Sequence, residues 1–127
     1  MKYLYDTNIF IYYLTGELAV LPLFTETFLS QNTIIISPII RIELLSFPQL
    51  SESETHIIIN LLKQFESVPI QPAIEAETIQ IKRKYRIKLP DAIIAATALQ
   101  RSARLVTRNI NDFRQISALE LCNPFTI

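Results

Sequence analysis

The sequence predicts an α/β fold: a central parallel sheet flanked by helices, built as one domain over residues 1–127. Three observations predict it. Short runs rich in β-branched or aromatic residues recur along the chain: YLY at 3–5, TIIIS at 33–37 and RLVT at 104–107. Stretches of helical character separate them, and strands alternating with helices favour a parallel sheet wrapped by helices. Polar or acidic residues stand where strands stop, as in Asp6-Thr7-Asn8, and in open α/β sheets that edge is where ligands bind.

The elements follow in order. Tyr3–Tyr5 forms the first strand, at the start of a compact chain. Ile9–Leu14 is apolar on every side and reads as a buried helix ending near Gly16, the sole glycine. Leu18–Leu29 reads as a second helical stretch, and 33–37 as the next strand. Ser37-Pro38 supplies an N-cap and a proline at the first helical position, opening a helix to Phe47. Ser51 and Glu54 have capping-box spacing and open a helix to about Phe65. Ser67–Ile70 is a short strand, and Pro72 starts a long helix to about Tyr85. After the Leu89-Pro90 break, Asp91–Ser102 is an alanine-rich helix. Arg104–Thr107 is a strand, Asn111–Ile116 a turn or short helix, and Leu119–Cys122 a last strand.

Composition removes several functions. Half the residues are apolar, which suits a globular chain. No apolar run reaches the ~18 residues of a membrane span, and the N-terminus lacks a signal-peptide pattern, so no membrane role is expected. Cys122 is the one cysteine, so no internal disulfide is expected and a reducing cytoplasm is the expected compartment. With one Cys and one His (His56), the usual zinc sets are out of reach. One glycine is too few for a P-loop or a dinucleotide fingerprint. Net charge is zero but uneven. Lys82 to Arg114 carries nine basic residues and two acids, a balance of 9 − 2 = +7, leaving −7 for the remainder. Such a segment suits a polyanion or an acidic partner, although Lys82–Lys88 also fits an ordinary solvated helix face.

Four acids are candidates for chemistry. Asp6 ends the first strand, where it also suits a helix cap. Glu43 has Ile39, Ile40 and Phe47 one turn away, so a charge on that face calls for a partner or a metal. Asp91 lies in a helix first turn, whose field keeps a carboxylate ionised. Asp112, with Asn109 before it, sits in the turn after RLVT, where an Asx-type turn is the ordinary role. A parallel sheet can bring all four to one edge. Carboxylates crowded there repel, and a divalent cation removes the conflict; oxygen donors suit Mg²⁺ or Mn²⁺. Such a site can activate water against a phosphodiester.

Four segments in order, YLYDTNIFIYYL, SPIIRIELL, LPDAIIAATAL and LVTRNINDF, make the chain resemble the PIN-domain family, and within it the VapC-type toxins of bacterial toxin–antitoxin pairs. The resemblance spans almost all 127 residues. It implies a PIN-like fold and a Mg²⁺- or Mn²⁺-dependent endoribonuclease, usually a homodimer held inactive by a cognate antitoxin. Carried over by position, it implies Asp6, Glu43 and Asp91 as the acidic metal site, with Thr107 as a polar neighbour behind them. Many relatives carry an acid where this chain has Asn109, so Asp112 is the fourth acid; Asn109 is expected to orient water or the turn, and Asn8 to support the site. Two other classes remain. A phosphatase or receiver domain using Asp6 would need a second acid beside it, which Thr7 and Asn8 do not supply. A catalytically silent RNA-binding or scaffolding domain would keep the fold without the cleavage.

Overall fold

The computed structural model describes residues 1–126. Five strands, β1 (Lys2–Tyr5), β2 (Thr33–Ile36), β3 (Glu66–Ser67), β4 (Arg104–Val106) and β5 (Leu121–Cys122), form one sheet in the order β3-β2-β1-β4-β5. Every pairing is parallel. Growth runs outward from β1 to β3, then crosses back to lay β4 on the other side of β1. The carboxyl ends of β1 and β4 therefore flank the point where strand order reverses, the crevice that α/β sheets use for ligands.

The helices are α1 (Thr7–Leu14), α2 (Glu26–Gln31), α3 (Pro38–Leu45), α4 (Glu52–Leu62), α5 (Pro72–Lys84), α6 (Leu89–Gln100) and α7 (Ile110–Phe113). Their starts follow local chemistry. Ser37 accepts from the Ile39 amide at 3.2 Å, ahead of Pro38 at the first helical position. Ser51 and Glu54 close the capping box in both directions, at 3.0 and 3.1 Å. Gly16 sits at φ +83° just beyond α1, where the amides of Gly16 and Glu17 fold back onto the Tyr13 and Tyr12 carbonyls. That left-handed backbone is the one an L side chain resists.

The stretch 18–29 is not one helix. Leu18–Phe24 forms a 3₁₀ segment containing Pro22, and α2 starts afresh at Glu26. Proline has no amide to donate, and the Thr25 hydroxyl takes the Phe28 amide at 3.2 Å, which caps a new helix. Further boundaries shift: α3 ends at Leu45 rather than Phe47, α4 at Leu62 rather than near Phe65, and the element expected at 111–116 is Ile110–Phe113. The third strand is Glu66–Ser67 rather than 67–70, the last begins at Leu121, and α6 starts at Leu89 with Pro90 in its first turn.

Two packing features position the site. Beneath β1 and α1, Tyr5, Phe10, Phe24 and Phe65 form an aromatic cluster with ring centroids 5.3–6.2 Å apart. The Tyr5 hydroxyl donates to the Leu23 carbonyl at 2.6 Å, so the buried phenol is satisfied. On the other side, Ala92, Ala95, Ala96 and Ala98 are buried along α6. These short side chains let α6 sit close to α5 and β4, and its first turn comes with it to the carboxyl edge of the sheet. Among the described residues, no single helix is long and apolar enough to cross a membrane.

Candidate functional site

The crevice between β1 and β4 is lined from four directions. Asp6 follows β1 and is 5% exposed. Its amide donates to the Val106 carbonyl at 2.9 Å, which extends the β1–β4 ladder by one residue and fixes where its side chain points. One carboxylate oxygen, Oδ1, accepts from the Thr7 amide at 2.8 Å, the N-cap of α1. The other, Oδ2, accepts from the Thr107 hydroxyl at 2.8 Å and from the Asn8 amide group at 3.3 Å. Capping and site placement are thus one arrangement: the oxygen that caps α1 differs from the one held by Thr107.

Thr107 is wholly buried and serves as a hub. Its oxygen also accepts from the Asn109 amide at 2.9 Å and from the Asn8 side chain at 3.3 Å. Asn109 then donates its side-chain amide to Asp112 Oδ2 at 2.7 Å, so Asp112 is folded back toward the strand end through Asn109. Glu43, half-buried on α3, accepts from the Thr7 hydroxyl at 2.6 Å. Asp91 lies in the first turn of α6, half-buried.

The electrostatics tie the four acids together. Burial pushes the Asp91 carboxyl up from 3.8 to about 6, reinforced by the negative charges of Asp6, Asp112 and Glu43 and opposed by Lys88. Burial also raises Asp6, against the hydrogen bonds from Thr107 and Thr7, with Glu43 and Asp112 adding to the rise. Acids from four separate elements therefore feel one another's charge in one crevice. Among the described residues, however, no three His, Cys, Asp or Glu side chains are arranged to hold a metal ion directly.

Every site residue singled out in the sequence stands in or beside this crevice, with Asn8 and Thr107 on Asp6 and Asn109 on Asp112. Thr7 was not singled out, yet it joins Asp6 to Glu43 through its amide and its hydroxyl. Its place directly after the strand-ending acid was the available signal. The basic span is the part that divides. Arg101 pairs with Glu66 at 3.4 Å and Arg104 with Glu120 at 2.8 Å. Arg104 opens β4, at the end of the strand opposite the crevice. Arg108 lies over the rings of Phe125 and Tyr12, 4.1 and 5.3 Å from their centroids.

Comparison with known proteins gives these features a lineage. The family model for the PIN domain matches residues 3–119. A chain of a toxin–antitoxin complex from Klebsiella pneumoniae is 30% identical, with a TM-score of 0.78 and coverage of 98% of this chain and 99% of that one. A chain of VapBC2 from Rickettsia felis, solved bound to a DNA fragment from its promoter, is 27% identical with a TM-score of 0.83, covering 97% and 98%. DNA-bound VapBC from Salmonella typhimurium, 20% identical with a TM-score of 0.81 over 98% of both chains, shares the fold. No curated protein matches. With the match running through all four acids and the strands β1 to β4, the chain belongs to the PIN-domain family, whose members are generally nucleases.

Proposed function

We propose that the chain is a Mg²⁺- or Mn²⁺-dependent endoribonuclease acting as the toxin of a VapBC-type pair. The observation that carries this reading is the convergence of Asp6, Glu43, Asp91 and Asp112 at the strand-order reversal, where the charges of the other three add to the rise that burial imposes on the Asp91 carboxyl. Mutual repulsion of this kind is what a bound cation would relieve. The donors are all carboxylate oxygens, which fits a hard divalent ion that keeps several waters. When bound, such an ion neutralises charge on a phosphodiester and activates a water for in-line attack.

The protein's own groups divide the work. Thr107, Asn8 and the Thr7 amide favour the ionised form of Asp6, and the Thr7 hydroxyl orients Glu43. Asp91 projects from a helix first turn, where the backbone field favours negative charge. Asn109 holds Asp112, which adds charge at the rim. The test is cleavage of labelled RNA by the purified chain. Cutting is expected with Mg²⁺ or Mn²⁺ and should stop on chelation. Cleavage that survives chelation, or none with either ion, overturns the reading.

The partners we propose are RNA as substrate, a cognate antitoxin and a second copy of this chain. Support for the antitoxin comes from the toxin–antitoxin complexes among the structural likenesses. Apolar surface also remains exposed at Ile42, Phe47 and Ile57 on α3, α4 and the segment joining them, suited to an amphipathic segment. Ile79 and Leu89 are exposed separately, on α5 and α6, and suit the homodimer. Light scattering at micromolar concentration should give twice the chain mass; a strict monomer removes the dimer.

A further inference from the structure

Between α5 and α6 the chain forms an open recess of about 770 Å³, lined by Lys84, Arg86, Lys88 and their neighbours on one side and by Asp112 on the other. Three hydrogen bonds shape it. The Lys82 ammonium donates to the Ile87 carbonyl at 2.7 Å, which closes the loop on itself. Gln115 donates its side-chain amide to the Arg86 carbonyl at 3.1 Å and, more weakly, to the Asp112 carbonyl at 3.3 Å. The loop is thereby latched to α7, the element that carries Asp112 into the crevice.

The basic residues here differ from Arg101, Arg104 and Arg108 in the same span. Arg101 and Arg104 are neutralised by Glu66 and Glu120, and those are the two ion pairs among the described residues. Arg108 is occupied by two aromatic rings. Arg83, Lys84, Arg86 and Lys88 are exposed, and none has an acidic partner among the described residues, although the Lys84 ammonium lies 5.4 Å from the centroid of the neighbouring Tyr85 ring. Much of the unpaired positive charge of the 82–114 span is therefore gathered in a recess that shares a wall with the acids. Lys88 also stands near enough to Asp91 for its charge to oppose the rise of that carboxyl.

We propose that this recess is a separate binding site for the phosphate backbone of single-stranded RNA, holding the nucleotides that flank the bond to be cut. The proposal rests on the nuclease reading above and gives the substrate a path into the crevice. A cluster of repelling acids does not itself attract a polyanion, so affinity has to come from a neighbouring surface. Phosphates repeat along RNA, and a chain lying over Asp112 would run directly into Lys84 and Arg86. An acidic protein segment could use the same charges, but the shared wall with the site favours the substrate.

The experiment measures binding of a fluorescent single-stranded RNA in chelator, across a range of salt, for the parent chain, for Lys84→Gln with Arg86→Gln, and for Arg101→Gln with Arg104→Gln. Each lost phosphate contact should lower the log–log salt slope by roughly 0.7, so the first pair should lose about 1.4 and, relative to 1 M salt, bind about 25-fold more weakly at 0.1 M salt. The second pair should match the parent. With metal restored, the first pair should show a raised KM and an unchanged kcat. An unchanged slope in a protein that still cleaves overturns this inference and leaves the nuclease reading intact. A lowered slope in a protein that never cleaves sustains the binding site and removes the nuclease. Failure of the parent to bind RNA overturns both. If the first pair loses affinity for a polyglutamate peptide but not for RNA, the recess serves an acidic protein and the proposal falls.

Discussion

Asp91→Asn is expected to abolish metal-dependent cleavage and, in the same protein, to raise stability in metal-free buffer at pH 7. The two effects share one cause. In the folded chain the Asp91 carboxyl is raised from 3.8 to about 6 by burial and by three neighbouring acids. Over the window between those values the folded state binds more protons than the unfolded state, so stability falls as pH rises through it. At pH 7 the group is ionised and the full penalty is present. After discounting for solvent screening of a half-exposed group, its relief should be worth roughly 1–2 kcal/mol. That corresponds to a Tm gain of several degrees. The gain should shrink as pH drops toward 4, where the parent carboxyl is itself neutral. Added Mg²⁺ should stabilise the parent by mass action and leave the variant nearly unmoved. Thermal unfolding at pH 7 and pH 4.5, with chelator and with Mg²⁺, reads all of this. A variant that cleaves at the parent rate, or one destabilised in chelator, counts against the acids acting as one site.

Thr107→Val carries the second large effect. Valine matches threonine in shape but offers neither a hydroxyl donor nor an acceptor. Asp6 would lose its 2.8 Å bond from Thr107, and the Asn109 amide would lose its 2.9 Å acceptor. The first loss disfavours the ionised form of an already raised carboxyl. The second loosens the turn that holds Asp112. Groups that orient metal-site carboxylates typically cost ~10–100-fold in metal affinity or activity when removed. A buried amide left unpaired costs about 1–3 kcal/mol of stability, and the part-buried Asn109 amide should cost less than that. The informative readout is the pH profile: the acid limb of cleavage should move to higher pH, and Thr107→Ser should restore it. A stability loss with an unmoved acid limb would make Thr107 a packing residue only.

Much of this site was legible because it is local to strand ends. YLY followed by Asp, and LVT followed by the Asn109–Asp112 turn, announce their own geometry: in a buried strand the first polar residue marks the edge. Ser37-Pro38 and Ser51-Glu54 located two helix starts, since capping acts within three residues. Readings failed where a competing local signal was overlooked or where the partner lay far along the chain. The break at Thr25 needed Pro22 and a capping hydroxyl to outweigh apolar content. Arg101 and Arg104 looked available for RNA because Glu66 and Glu120 are brought to them only by the fold. The same holds for the Thr7 bond to Glu43, which spans 36 positions. Strand order, too, is a property of packing, yet it decides that Asp6 faces Thr107.

That last bond spans 101 positions of sequence. β1 is made first and ends as the middle strand, with one flank bare until β4 arrives. Closing so long a loop is entropically slow, and the relevant partner does not exist until synthesis has passed residue 107. At about 5–20 residues per second, the interval between making Asp6 and making Thr107 is on the order of several seconds. During that time Asp6 has no hydroxyl to hold it and Asp112 has not been added. In an unfinished chain the crevice therefore lacks both the hydroxyl that holds Asp6 and the acid at its rim, and it is complete only once β4 docks.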